Sequence, residues 1–381
     1  MIKKILKSLG HALLLIVLHL FYFNLNWSVP LEYEMMMAMN KIESYMGGAG
    51  KFDESKCLFI NTAYDETVIQ SETEYGDEGT TIITDRELLA EFFEKMAAFG
   101  NQHQYILCDV LFDKPTENDS ALAASFSKVK KIITPVAYSD HEKEIQKPLF
   151  NVKHAQADYI TYEGLVSKIR LYAKESNTKT LPLVMFEDHH TIQTTVTKMG
   201  LFYKNSYIPG SIYPRYFFNR EAIFQYEIRL KTIVDILKSG DTTRYNDLIK
   251  DKLIVIGNFT TDIHYTPLGS MPGSLILFNT YLTLEAKYHL LGWGWFVFAL
   301  ICFCILCYIE FVNKKERPAV TDRNWRTLLW HLLGVTGWCL VISLLSGLIY
   351  RVHITIIPVI LYLEVFRHIR KIKLPHIKFT K

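Results

Sequence analysis

The placement of its apolar segments most constrains what this chain can become. GHALLLIVLHLFYFNLNW (10–27), LLGWGWFVFALICFCILCYIEFV (290–312) and TLLWHLLGVTGWCLVISLLSGLI (327–349) each approach or exceed the ~20-residue helix that crosses the hydrocarbon core of a bilayer. A fourth, ITIIPVILYLEVF (354–366), is shorter and carries Pro358 and Glu364. It must extend into its flanks, to residue 368, or thin the bilayer locally. The first segment reads as an uncleaved anchor, because Phe21, Tyr22, Phe23 and Trp27 follow where a signal peptide would show a small-x-small cleavage site. The second crowds its aromatic residues at its start, as in a belt at headgroup level.

Positive charge orients these segments. Lys3, Lys4 and Lys7 precede the first; Lys314, Lys315, Arg317, Arg323 and Arg326 lie between the second and third; Arg367, Arg370, Lys371, Lys373, Lys378 and Lys381 follow the fourth. By the positive-inside rule these are cytoplasmic faces. Residues 28–290 hold 27 Lys and Arg against 35 Asp and Glu, so the net charge of +3 conceals a basic inside and an acidic outside. The expected layout is a cytoplasmic N-terminus (1–9), a first span (10–27), an extracytoplasmic domain (28–289) and a second span (290–312). A basic cytoplasmic loop (313–326), spans at 327–349 and 354–368 and a basic cytoplasmic tail (369–381) complete it. Basic residues beside spans are explained by topology and attraction to anionic lipid, so the lipid bilayer is an expected partner. Nucleic acid is not, since no stacking or groove-reading motif accompanies the charge. Cys302, Cys304, Cys307 and Cys339 lie in the spans; Cys57 and Cys108 sit in apolar runs and read as buried small hydrophobes.

Within 28–289, KCLFINTA (56–63), YILCDVLF (105–112), KIITPVAY (131–138), LPLVMFE (181–187) and KLIVIGNF (252–259) are short, continuous apolar runs. Such runs suit strands buried on both faces of a mostly parallel sheet. Helical patterns alternate with them. One opens at Thr84 with Glu87 at capping-box spacing, one at Asn118 or Asp119, and one spans 220–240. The fold class expected is therefore α/β, a mostly parallel sheet flanked by helices, with four transmembrane helices, one before and three after. LEYEMMMAMNKIESYM (31–46) reads as a helix leaving the membrane. GGAGK (47–51) lacks the Gly and Ser/Thr positions of a phosphate loop and reads as a linker. The acidic stretch 64–79 reads as a solvated loop or hairpin.

Open parallel sheets collect ligands at the carboxyl ends of their strands. Asp65, Asp109, Asp113 and the pair Asp262 and His264 fall at or beyond such ends, making the first three possible pocket carboxylates. Asp and His also gather there as turn formers, and no nucleophile elbow, H-E-x-x-H helix or C-x-x-C pair is present. No catalytic residue, cofactor or metal is expected. In EDHH (187–190), Asp188 reads as a helix cap and the His pair as surface. The stretch VIGNFTTDIHYTPLGSMPG (255–273) reads as a positioning loop for ligand binding or coupling, in which Pro267, Pro272 and Gly273 shape the start of a helix and Thr266 and Asn279 tie it by hydrogen bonds. Residues 273–289 then read as a rod of roughly 25 Å running straight into the second span.

KDKLIVIGNFTTDIHYTPLGSMPGSLILFNTYLTL (250–284) resembles the closing signature of the type-2 CHASE domain, the cyclase/histidine-kinase-associated sensory extracellular domain of bacterial membrane receptors. CDVLFDKPTENDSALAASF (108–126) is similar to that family's earlier Asp-x-x-Phe segment. One span before the domain and three after it is also the usual layout of the family. The resemblance implies a multi-pass protein of the bacterial inner membrane with a periplasmic sensory domain. Such receptors normally continue into an output domain, whereas this chain stops shortly after the fourth span. The expectation is thus a non-enzymatic sensor or accessory subunit that binds a small molecule or protein and relays to a separate membrane or cytoplasmic output protein, with a homo-oligomer left open. The alternatives are a structural subunit of a cell-envelope complex and a membrane-anchored hydrolase using Asp262 and His264.

Overall fold

The computed structural model describes residues 2–25, 52–72, 78–139, 144–162, 164–266, 268–309 and 325–371, with isolated positions between 34 and 45. The exit helix expected at 31–46 falls largely outside the described residues; the linker 47–51, Pro267, 310–324 and 372–381 fall wholly outside them.

Six parallel strands form the centre: β1 (Cys57–Asn61), β2 (Tyr105–Asp109), β3 (Ile132–Val136), β4 (His154–Gln156), β5 (Glu227–Arg229) and β6 (Leu253–Gly257). Their order is β5-β1-β6-β2-β3-β4. The strand laid down last, β6, therefore fills the slot between the first two. Side chains alternate between two cores. Phe59, Leu107, Leu253 and Val255 enter one, while Ile60, Ile106, Ile254 and Ile256 enter the other. Burial on both faces is why these strands read as unbroken apolar runs.

The helices, in chain order, are α1 (Ile2–Phe23), α2 (Arg86–Ala98), α3 (Asp119–Phe126), α4 (Leu181–His189), α5 (Leu230–Lys238), α6 (Thr242–Leu248), α7 (Gly273–Glu285), α8 (Trp293–Cys307), α9 (Trp325–Tyr350) and α10 (Ile356–Lys371). Helices α2, α3 and α5 cover one face of the sheet, with Leu230, Ile233, Val234 and Leu237 of α5 forming a single apolar stripe. Helices α4 and α7 cover the other. Helix α7 is buried on every side from Gly273 to Leu284, as a helix lying between the sheet and further layers must be.

Several local expectations are corrected. Residues 181–187 are not a strand but most of α4, where Thr180 stands at the N-cap and Pro182 in the first turn, a position that tolerates a missing N–H. A short apolar run fits a buried helix turn as well as a strand. The helix expected across 220–240 is interrupted, because Glu227–Arg229 pair with β1 as an edge strand before α5 begins. Helix α2 is capped by Asp85 rather than Thr84, its carboxylate accepting from the amides of Glu87 and Leu88. At α3 neither expected cap bonds its own helix's amides: Asn118 makes no side-chain cap, and Asp119 accepts from the Thr116 amide and pairs with Arg86. Residues 66–72 and 78–84 form an antiparallel hairpin.

The straight rod is also corrected. Helix α7 stops at Glu285, Lys287 and His289 adopt positive φ of 60° and 64°, and α8 starts afresh at Trp293. This joint is pinned. Tyr207 and Leu291 exchange backbone hydrogen bonds of 2.9 and 2.8 Å, and the His289 ring bonds the Tyr213 carbonyl at 3.1 Å.

Helix α1 is the described helix long and apolar enough to cross a membrane; Trp293–Cys307, Thr336–Tyr350 and Ile356–Phe366 are shorter apolar helical stretches. The four pack together through Ala12, Leu15, Ile16, Ala299, Phe303, Leu306, Ile342 and Leu363. Outward they present Leu13, Leu14, Val17, Phe21, Val297, Ile301, Ile305, Leu345, Ile349 and Leu361. Asn24, just after α1, locks this bundle to the α/β body by donating to the Met199 carbonyl at 2.8 Å and accepting from the Gly210 amide at 2.9 Å.

Candidate functional site

The two central strands diverge at their carboxyl ends. Asp109 closes β2 and is the register partner of Gly257, which closes β6. From β2 the chain leads to α3 on one face of the sheet, and from β6 it leads to α7 on the other. Chains that part in this way leave a crevice between them, where open α/β sheets bind ligands. Gly257 lets α7 approach: a Cβ there would lie 2.8 Å from both Cβ and Oγ of Ser274.

Between β6 and α7 lies a hairpin, Ile263–Thr266 paired with Gly269–Pro272. The Thr266 hydroxyl donates to the Gly269 carbonyl at 2.8 Å, and Gly269 takes φ of 99° to close the turn. The hairpin brings Asp262 and His264 to the start of α7, where the Gly273 amide donates to the Asp262 carbonyl at 3.0 Å. His264 Nε2 lies 3.1 Å from Asp262 Oδ1. Gly273 is required by this pair, since a Cβ would sit 2.5 Å from Asp262 Oδ2 and 3.1 Å from His264 Nε2.

Electrostatics at the floor follow from crowding. Burial, reinforced by the Asp262 charge, pushes the Asp109 carboxyl up to about 7, with His264 opposing. The hydrogen bond to Asp262 raises His264 above its ordinary value against the cost of its partial burial, and Asp109 adds to the rise. The Tyr159 ring lies 5.1 Å from that of His264, and its hydroxyl donates to the Gly273 carbonyl at 3.3 Å. Burial holds that phenol protonated. Asp109, Asp262 and His264 thus make a polar floor in which the Asp109 carboxyl is the crowded, buried member.

A cleft of about 730 Å³ stands over this floor. Its walls add Gln156, Asp158, Arg170 and Glu175. Arg170 lies 3.1 Å from Asp158 and 3.0 Å from Glu175. Burial raises the Asp158 carboxyl, with the Arg170 charge opposing. No serine, threonine or cysteine lines the cleft among the described residues; Ser274 beside it is fully buried.

Of the residues singled out in the sequence, Asp109, Asp262, His264 and Gly273 come together. Thr266 closes the hairpin turn. Asn279 stands inside α7, fully buried, and accepts from the amides of Phe217 and Phe218 at 2.8 and 3.0 Å while donating to the carbonyls of Phe218 and Leu275 at 2.9 Å each. It ties α7 to the 217–218 segment and also donates to Met271 Sδ, in the second strand of the hairpin, at 3.8 Å. Asp65 is a capping group, its carboxylate accepting from the Lys231 amide in the first turn of α5 at 3.1 Å. Asp113 is exposed at the edge of an adjoining, smaller depression lined by Phe112 and Pro148.

Tyr159, Asp158, Arg170 and Glu175 were not singled out. They come from 154–175, where Tyr159–Tyr162 and Leu165–Arg170 form a hairpin about Gly164 (φ 79°) and Leu165 pairs with Tyr265. The signal present was local: a β-rich stretch folded at a glycine. Asp188 differs from expectation, while His190 is exposed as expected and His189 is half-buried. Asp188 lies within α4, accepting from the Tyr105 hydroxyl at 2.7 Å and paired with Lys153, and His189 and His190 converge with Glu285.

Residues 12–309 match the family model of the CHASE2 domain. No curated protein and no solved structure matches the chain.

Proposed function

Because this chain belongs to the CHASE2 domain family, a family of extracellular sensory domains, we propose that it is a non-enzymatic sensor of the bacterial inner membrane. Its α/β body stands in the periplasm, it binds a small polar molecule in the cleft above Asp109, Asp262 and His264, and it relays occupancy to a separate output protein. The single observation that carries the relay is the seating of the Asp262–His264 pair against Gly273, the first residue of α7. A ligand that displaced or protonated this pair would bear directly on the start of a helix whose other end leads through the pinned joint to α8.

The four-span reading takes α1, α8, α9 and α10 as the spans. The outward-facing Leu, Ile, Val and Phe side chains of their bundle form an apolar perimeter far larger than a water-exposed surface tolerates. Positive charge before the first apolar segment, between the second and third and after the fourth supports cytoplasmic termini. The lining of the cleft supports binding over catalysis, because no serine, threonine or cysteine among the described residues lines it beside the acid–imidazole pair.

The test is purification of the tagged full chain from its native membrane in mild detergent, with identification of what accompanies it. The sensor reading expects a stoichiometric partner bearing a cytoplasmic output domain, whose retention changes in Asp262→Asn. Recovery of envelope-assembly proteins alone, unaffected by that substitution, would overturn it in favour of a structural subunit.

A further inference from the structure

Outside the cleft, one group of side chains has no explanation in the sensor reading. Helices α4 and α7 lie side by side, and their C-terminal ends meet. There His189, His190 and Glu285 each offer one ligand atom, all within 4.8 Å of one another. We propose that His189, His190 and Glu285 bind a divalent cation of the zinc class, clamping the end of α4 to the end of α7 immediately before the joint that leads to α8.

The donor set points to that class. Two imidazoles and a carboxylate suit zinc, nickel or copper, whereas magnesium and calcium take oxygen ligands. Zinc held at about 2.0–2.1 Å by nitrogen and oxygen in tetrahedral geometry needs its ligand atoms roughly 3.3 Å apart. His190 Nε2 and Glu285 Oε2, at 2.5 Å, need only separate slightly, and every ligand atom already lies within 4.8 Å of the others.

A supporting shell is in place. The fully buried Tyr281 brings its hydroxyl 2.6 Å from His189 Nδ1 and donates to Glu285 Oε2 at 3.3 Å, so one phenol orients two of the three ligands. His190 is exposed and Glu285 half-buried, leaving a path for the ion and room for water at a fourth position. Without metal, the same atoms form a pair between His190 and Glu285.

The test uses the full chain in detergent, purified on a histidine-free tag and stripped with chelator. Equilibrium dialysis against Zn2+, with Mg2+ as the hard-cation control, measures affinity and stoichiometry, and thermal unfolding measures coupling to the fold. The proposal expects stoichiometric Zn2+ binding, a rise in Tm with Zn2+ but not Mg2+, and loss of both in His189→Ala/His190→Ala. Glu285→Gln should weaken binding by about tenfold or more. The exposed His154→Ala should bind as the parent does, and the single exposed His190→Ala serves if the double variant fails to fold. Unchanged Zn2+ binding in the His190 variant, meaning adventitious sites only, or absence of Zn2+ binding by the parent, would overturn the proposal. Neither result bears on the cleft, which is tested by its own substitutions.

Discussion

Gly273 and Asp262 touch so closely that any side chain at 273 must displace the Asp262 carboxylate: a Cβ there would stand 2.5 Å from Asp262 Oδ2. The carboxylate that would have to move is the one holding His264. Substitution should therefore act in two stages. Gly273→Ala is expected to rotate Asp262 off His264, so that His264 loses the largest cause of its raised proton affinity and titrates closer to an ordinary histidine. Gly273→Val should in addition destabilise the fold by about 1–3 kcal/mol through overpacking. His264→Ala, at a half-buried surface position, should cost less. NMR titration of His264 and thermal unfolding in detergent check both stages; a larger loss in His264→Ala than in Gly273→Val would contradict the account.

Asn279 uses its amide in full, accepting two backbone N–H groups and donating to two carbonyls in a site without water access. Asn279→Leu keeps the approximate volume but strands the amides of Phe217 and Phe218. Unpaired buried donors cost about 1–3 kcal/mol each, so a loss of roughly 2–5 kcal/mol is expected in denaturant unfolding. A loss of a few tenths would show that 217–218 is held by other means.

The floor of the cleft makes stability depend on pH in a definite direction. Folded Asp109 keeps its proton up to about pH 7, whereas an unfolded carboxyl releases it near 4. Between those values the folded chain binds more protons, so this contribution falls as pH rises from about 4 to about 7 and is constant above. His264, also raised, acts in the same sense at higher pH: its contribution is full below about 6.5 and lost as pH passes its folded value. Asp109→Asn removes the first effect. Its Tm relative to the parent should be small at pH 5 and distinctly more positive at pH 8; an offset equal at both values would show that Asp109 ionises freely in the fold.

How far the sequence disclosed this arrangement depended on how local each signal was. Strands β1, β2, β3 and β6 were readable because burial on both faces leaves an unbroken apolar run, as in Leu253 to Ile256. Asp109, Asp262 and His264 were readable as residues at strand ends, and Gly273 as the start of a helix. The partners that complete the cleft were not. Tyr159 and Arg170 reach it through a hairpin whose position is set by pairing with Tyr265, a contact distant in sequence. Helix α4 reads as a strand in sequence because five apolar residues suit either state, and Glu227–Arg229 read as helix because only pairing with β1 makes them a strand. The joint at 286–292 escaped because its positive-φ residues are Lys287 and His289 rather than glycines. His189, His190 and Glu285 meet only because α4 and α7 pack together.

The account rests above all on where the α/β body stands. Lys128, exposed just beyond α3, offers the direct measurement. Cys57 and Cys108 in the body are buried, so background labelling there should be low. With Lys128→Cys, a membrane-impermeant maleimide applied to intact bacteria with a permeabilised outer membrane should label the chain, while Lys4→Cys should react only after lysis. Labelling of Cys at 4 but not at 128 in intact cells would contradict the account.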